Sequence, residues 1–125
     1  YYLPRVELSI HKAKARRWKG GGDVVYRGRG ARLIRKVTSD KKYKTGKKYN
    51  LSNLPLGTEV VKRFLINNEM LLRSLQAAKD ININKPKIRK LNAWTASYSL
   101  ANVMEYLIRH SQRHVAQAKR AAVAV

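Results

Sequence analysis

The sequence predicts a small α+β protein in which an extended basic N-terminal arm, with short strands or a hairpin, precedes a helical C-terminal body. Aliphatic side chains are few between residues 12 and 48 and frequent in the second half. Apolar residues alternate near the N-terminus, whereas later they recur every three or four positions. We therefore expect a basic arm over residues 1–50 and a helical body over residues 51–125.

A short strand is predicted after Pro4. Val6, Leu8 and Ile10 alternate with polar residues, which is the period of an extended chain with one buried face. The next residues, 11–19, fit one or two turns of basic helix. Three consecutive glycines then end that helical turn.

The remainder of the arm is also predicted to be extended. Residues 23–39 contain β-branched and aromatic side chains, interrupted by an Arg-Gly repeat, and indicate a second strand-like stretch. Residues 41–51 repeat Lys-Lys-Tyr around a Thr-Gly pair, which suits a short hairpin. A solvated loop fits this stretch almost equally well.

Two helices are predicted in the body, at about 58–79 and about 92–120. Thr58 is a good N-cap residue, and Glu59 lies in the first turn, where the helix dipole favours an acid. An Asn-Asn pair leaves open a division of the first helix into two. The side chains expected in the core are Phe64, Leu71, Leu72, Leu75, Trp94, Tyr98, Met104, Leu107 and Ile108.

The net charge restricts the possible partners. The 125 residues include 28 Lys and Arg against 7 Asp and Glu, a formal net charge of +21. Fifteen of these cations lie between residues 12 and 48, which contain only Asp23 and Asp40 as acids. Because so much like charge destabilises a compact state by self-repulsion, we infer a densely negative partner. The phosphate backbone of a nucleic acid is the simplest one.

Planar side chains and glycines separate the cations of the arm. Arginine binds phosphate through paired hydrogen bonds, aromatic rings stack on unpaired bases, and glycine lets backbone N–H groups approach phosphate. A glycine-broken arm suits a folded RNA better than the major groove of duplex DNA. The residues predicted to bind RNA, with Trp18 and Tyr26 stacking on bases, are Lys12, Lys14, Arg16, Arg17, Trp18, Lys19, Tyr26, Arg27, Arg29, Arg32, Arg35, Lys36, Lys41, Lys42, Lys44, Lys47, Lys48, Arg109 and Arg113.

Catalysis, metal binding and membrane insertion are not expected. No nucleophile, base and acid form a recognisable set, and the glycine run lacks the lysine and hydroxyl of a P-loop, so we expect neither an enzyme nor a cofactor. His110 and His114 would share a helix face, but nothing supplies a third metal ligand. The chain has no cysteine, and no apolar run reaches the ~18 residues of a membrane span.

Four basic segments give the chain a general resemblance to ribosomal proteins. These are residues 16–22 (RRWKGGG), 26–32 (YRGRGAR), 41–49 (KKYKTGKKY) and the tail 109–120. The resemblance implies a structural constituent of a ribosome, whose arm penetrates ribosomal RNA and whose helices pack on that RNA and on neighbouring ribosomal proteins. It implies that the protein neither binds a membrane nor acts on a small-molecule substrate.

The resemblance covers the chain loosely and matches no particular ribosomal family. It therefore implies a lineage-specific subunit, a kind most common in mitochondrial ribosomes, with a cytoplasmic ribosome as the other location. The chain begins at Tyr1 rather than Met, so either a leader such as an organellar targeting segment was removed or the sequence is part of a longer product. The main alternative is a DNA-packaging protein of a nucleoid or virus. A third is a subunit of a respiratory or import complex whose charge meets acidic proteins or cardiolipin.

Overall fold

The computed structural model describes residues 1–20, 22–26, 28–39, 58–91 and 93–124. Within these ranges the protein is mainly helical, with one two-stranded hairpin before the C-terminal helix. The elements are α1 (Tyr2–Ala15), α2 (Gly28–Thr38), α3 (Thr58–Ala77), β1 (Lys87–Lys90), β2 (Ala93–Ser99) and α4 (Leu100–Ala124). The predicted fold class, with an extended N-terminal arm of short strands, is therefore wrong.

The first element is a helix, not the strand predicted after Pro4. Val6, Ile10 and Ala13 are buried at a spacing of three or four residues, while Leu8 is 68% exposed. The alternating apolar residues therefore do not all face the core. The side chains that are buried follow the period of a helix. Pro4 lies in the first turn of α1, where its missing N–H is not required.

A second helix, α2, occupies most of residues 23–39, which we predict to be extended. Gly30 and Val37 are buried seven positions apart, and Leu33 and Ile34 between them are half-buried. This arrangement is one face of a helix, and the basic side chains lie on the other face. The strand prediction is wrong because β-branched residues indicate only a weak local preference that tertiary packing overrides.

The hairpin occupies the beginning of the region where the sequence predicts a helix at about 92–120. Ala96, Tyr98 and Leu100 are buried in alternation, while Ser97 is exposed. That period of two is a strand pattern, so α4 begins only at Leu100. The helical spacing is correct from there onward.

Ser99 ends the strand and caps the helix. Its Oγ accepts a hydrogen bond from the N–H of Asn102 at 3.2 Å, which is the geometry of an N-cap. The N–H groups of the two residues after Ser99 donate to the carbonyls of Pro86 and Ile83, at 2.9 and 2.8 Å. The first turn of α4 is therefore fixed to the segment that precedes β1.

The core uses both halves of the sequence. Leu71, Tyr98 and Met104 are buried, which confirms their prediction as core residues, whereas Leu72 is 55% exposed. Four other predicted core residues are half-buried: Phe64, Leu75, Leu107 and Ile108. The main buried cluster comprises Val6, Ile10, Ala13, Ala78, Ile81, Ile88, Tyr98, Leu100, Val103 and Met104. Because α1 supplies three of these side chains, the N-terminal region is part of the packed body.

The helix α3 spans Thr58–Ala77, where the sequence predicts a helix at about 58–79. It continues through the Asn-Asn pair without a break. Apolar side chains remain exposed on it, including Val61 and Leu65, each 59% exposed. The predicted hairpin at 41–51 and the side chain of Trp94 lie outside the described part of the chain.

Two amide side chains fasten the segment before α2 to the body. Asn84 accepts the N–H of Val25 at its Oδ1 and donates from its Nδ2 to the carbonyl of Asp23, each at 2.9 Å. Asn102, which is 3% exposed, donates from its Nδ2 to the carbonyl of Val25 at 3.1 Å. These bonds satisfy backbone groups of an irregular segment and fix where α2 begins.

The helices α2 and α4 pack tightly against each other at Gly30. A Cβ atom at this position would lie 2.8 Å from Cγ and 3.3 Å from Cβ of Asn102. Carbon atoms that are not bonded pack at about 3.5–4.0 Å, so only glycine fits here without a shift. Moving Asn102 away would break its hydrogen bond to Val25.

The substitution Gly30→Ala is expected to lower the free energy of unfolding by about 2 kcal/mol, measured by urea denaturation. Without this steric contact, alanine inside a helix would instead stabilise the protein by about 1 kcal/mol. Gly28→Ala is the control, because nothing lies within 4 Å of a Cβ there and only its φ of 50° opposes the change. Combining Gly30→Ala with Asn102→Ala should cost less than the sum of both, and strict additivity would disprove the steric cause.

Candidate nucleic-acid interface

The C-terminus of α1 forms a hydrogen-bonded turn that positions Trp18. The N–H of Trp18 donates to the carbonyl of Ala13 at 2.9 Å, and the N–H of Arg17 donates to that of Lys14 at 3.1 Å. This pair of bonds is the Schellman motif. Arg17 has a φ of 56°, a left-handed conformation in which glycine is the usual residue. The turn brings the indole ring of Trp18 back against the core.

Three cationic groups surround that indole ring. The Nζ of Lys12, the Cζ of Arg16 and the Nζ of Lys85 lie 5.9, 5.5 and 4.7 Å from its centroid. Each distance allows a cation–π attraction of about 0.5–1 kcal/mol at an exposed site. The carbonyl of Trp18 also accepts the N–H of Asn82 at 2.7 Å, which joins this cluster to the segment before β1. The Trp18 ring, which we predict to stack on a base, therefore also binds cationic side chains.

A cleft of about 360 Å³ lies between the first turn of α2 and the hairpin. Arg29 and Lys87 contribute cations to its lining, and Ser97 and Ser99 contribute hydroxyl groups. Lys87 and Ser99 are paired in the antiparallel register of the hairpin. The hairpin residues Lys87, Ser97 and Ser99 lie on its outer face, because the residues that alternate with them are buried.

The exposed face of α2 extends this charge. Four residues that we predict to bind RNA are exposed there: Arg29, Arg32, Arg35 and Lys36. Burial raises the pKa of Tyr98 in the hairpin, and the positive charges of Arg29 and Arg32 act against that rise. The helix and the hairpin thus present their charges side by side.

We define the basic surface as the ring of Trp18 with six cations: Lys12, Arg16, Arg29, Arg32, Lys85 and Lys87. It is continuous because Lys85 contacts the ring and its neighbour Asn84 lines the cleft. Among the described residues, no carboxylate forms an ion pair with these six cations. A surface with one sign of charge attracts polyanions from a distance, and this attraction weakens as salt is added.

Two of the predicted RNA-binding residues contact Glu105 of α4. Arg109 forms an ion pair with Glu105 at 3.6 Å, and Tyr26 donates its hydroxyl to the same carboxylate. That hydrogen bond raises the pKa of Tyr26. The predicted stacking residue Tyr26 therefore ties the segment before α2 to α4.

Arg113 closes the C-terminus of α2. Its guanidinium donates to the carbonyls of Lys36 and Ser39, at 3.3 and 3.2 Å. The last carbonyls of a helix have no partner within the helix and carry partial negative charge, so a guanidinium there satisfies both needs. The predicted RNA contact of Arg113 thus has a structural task.

The remaining predicted residues fall into two groups. Those exposed near the end of α1 are Lys14, Arg17 and Lys19. Those outside the described residues are Arg27, Lys41, Lys42, Lys44, Lys47 and Lys48. Sequence reasoning missed Lys85 and Lys87, although residues 85–90 read KPKIRK and are strongly basic. That local charge run is the signal that could have identified them.

Aromatic rings follow one face of α4. The ring of Tyr106 stacks on His110 with centroids 5.3 Å apart, and the Nε2 atoms of His110 and His114 are 3.0 Å apart. The Nδ1 of His114 lies 3.1 Å from Oε1 of Gln117. Burial, His114 and Arg113 lower the pKa of His110.

Neither a metal centre nor a membrane span is found in the described part of the chain. No group of three or more His, Cys, Asp or Glu residues is arranged there to hold a metal ion. No described helix is long and apolar enough to cross a bilayer. Comparisons with protein-family models, curated proteins and solved structures give no match.

The substitution Arg17→Gly is expected to raise the free energy of unfolding by about 1 kcal/mol, because glycine adopts a positive φ without steric cost. Arg16→Gly removes the same charge from a residue with a φ of −88° and should lower it by about 0.5–1 kcal/mol. Urea denaturation of both variants measures the difference. Equal effects would show that the backbone conformation of residue 17 is not strained.

Acidification is expected to lower the stability of the protein because of His110. Its folded pKa is lowered, so below about pH 6.5, the ordinary pKa of histidine, the unfolded chain takes up a proton before the folded chain does. The free energy of unfolding should therefore decrease from pH 7 downwards, and His110→Gln should flatten this decrease. His11→Gln is the control because His11 is exposed on α1. Identical pH profiles for wild type and His110→Gln would contradict the assignment.

Proposed function

We propose that the protein is a structural RNA-binding protein, a constituent of a ribosome that binds ribosomal RNA through its basic surface. The observation that carries the proposal is a group of six cations without carboxylate partners among the described residues. Such an arrangement is costly for the isolated chain, whose formal net charge is +21. Bound phosphates remove that cost and release condensed counterions.

The shape of the basic surface favours RNA. Its cations come from the end of α1, from α2, and from the segment around Lys85 and Lys87. A surface built from several elements, with a cleft in it, suits the bulges and loops of folded RNA. The resemblance to ribosomal proteins then favours ribosomal RNA, with a mitochondrial ribosome as the proposed location. In that setting, neighbouring proteins are the expected partners of the exposed apolar side chains on α3.

DNA packaging is the second candidate function, and α2 is the observation that favours it. This helix of 11 residues exposes Arg29, Arg32 and Arg35 on one side. A helix of this kind fits the width of the major groove. A DNA-binding protein of this type would bind duplex DNA at least as tightly as structured RNA at equal salt.

Arg32→Gln is expected to weaken binding to a ribosomal RNA fragment several-fold at low salt and to reduce the slope of log affinity against log salt by roughly 0.7–0.9. Arg63→Gln is the matched control, since Arg63 is also exposed on a helix but lies on α3. Arg63→Gln should change the affinity and the salt slope less than Arg32→Gln does. Fluorescence anisotropy with structured RNA and duplex DNA, at several salt concentrations, measures both effects.

Three results would reject the proposal. Equal effects of Arg32→Gln and Arg63→Gln would remove the basic surface as the site of contact. A preference for duplex DNA at equal salt would favour the packaging function. Failure to co-sediment with ribosomes would point to a partner elsewhere, as in a respiratory or import complex.

A further inference from the structure

The cleft beside α2 has the size and lining of a ligand site. Its volume of about 360 Å³ lies at the lower end of the range for small-molecule sites, about 300–1,000 Å³. A single water molecule occupies about 30 Å³, so the cleft is much larger than a phosphate group alone requires.

The polar lining selects an anion. Arg29 and Lys87 supply the positive charge, and Ser97 adds a hydroxyl group. Among the described residues that line the cleft, none carries a carboxylate. Arginine binds phosphate oxygens through two parallel bonds, and lysine adds a mobile point charge. Arg29 also lies in the first turn of α2, which contains no acidic residue, so the helix dipole adds to the positive potential.

The apolar part of the lining selects a ligand with a flat or hydrophobic portion. Val25, which is 42% exposed, and Tyr98 both line the cleft. A nucleotide combines a phosphate with a planar base and matches this mixture. The cleft is also open to solvent, so one nucleotide of a longer strand can enter while its neighbours remain outside.

We propose that this cleft binds a single unpaired nucleotide of the RNA, with its phosphate held by Arg29 and Lys87. The proposal rests on the proposed RNA-binding function and adds which feature of the RNA is recognised. A fully paired helix keeps every base stacked inside and exposes its backbone and the edges of its bases, but no free base. A bulged nucleotide can turn outwards and place both its phosphate and its base in the cleft.

The test compares two RNA hairpins that differ by one unpaired nucleotide, with three forms of the full chain. Wild type should bind the bulged hairpin roughly tenfold more tightly than the paired one. Lys87→Gln should lose most of this preference. Lys90→Gln is the matched control, because Lys90 is an exposed lysine of the same strand that does not line the cleft. It should weaken both hairpins equally and keep the preference.

The outcomes separate this proposal from the proposed function. Salt-dependent binding of both hairpins with equal affinity by wild type, or equal effects of the two lysine variants, would overturn the cleft proposal and leave RNA binding intact. Failure of wild type to bind either hairpin would overturn both. Adenosine monophosphate is titrated in parallel and followed by NMR. If it binds in a Lys87-dependent way while the hairpins are not distinguished, the ligand is a free nucleotide and the RNA assignment is rejected.

Discussion

The hydrogen bonds of Asn84 and Asn102 to the backbone of residues 23–25 hold the functional part of this protein together. They fix an irregular segment that has no secondary structure of its own and so determine where α2 begins. Gly30 then lets α2 lie directly against Asn102. Without this attachment, the arginines of α2 would not stand beside the hairpin, and neither the cleft nor the continuous basic surface would exist.

The small core stabilises the fold, whereas the high net charge of the chain destabilises it. The buried cluster joins α1, the hairpin and the first turns of α4, whereas residues 114–120 of α4 are exposed. A core of this size leaves a small margin of stability, and a formal net charge of +21 reduces it further. A polyanionic partner would relieve the repulsion and stabilise the fold by mass action.

The cations of the chain have two different tasks. Arg109 pairs with Glu105 on its own helix, whereas Arg113 satisfies carbonyls at the end of α2 and so contributes to the attachment of α2 to α4. The cations around Trp18 and the cleft have no such carboxylate partner among the described residues. Charge density in the sequence cannot distinguish these tasks, because both use the same residue types. The two tasks are distinguished only by the group that each side chain contacts in the folded protein.

Composition and local pattern by themselves determined the excess of positive charge, its concentration in residues 12–48, the absence of cysteine and a helix that begins at Thr58. These depend on residues close together in the chain. The tertiary structure alone decided that the first residues form α1, that β2 precedes α4, and that Lys85 and Lys87 join the site. A short apolar segment fits a helix or a strand equally well until its partner determines which side chains are buried, and no local pattern reports the distance between residues 29 and 87.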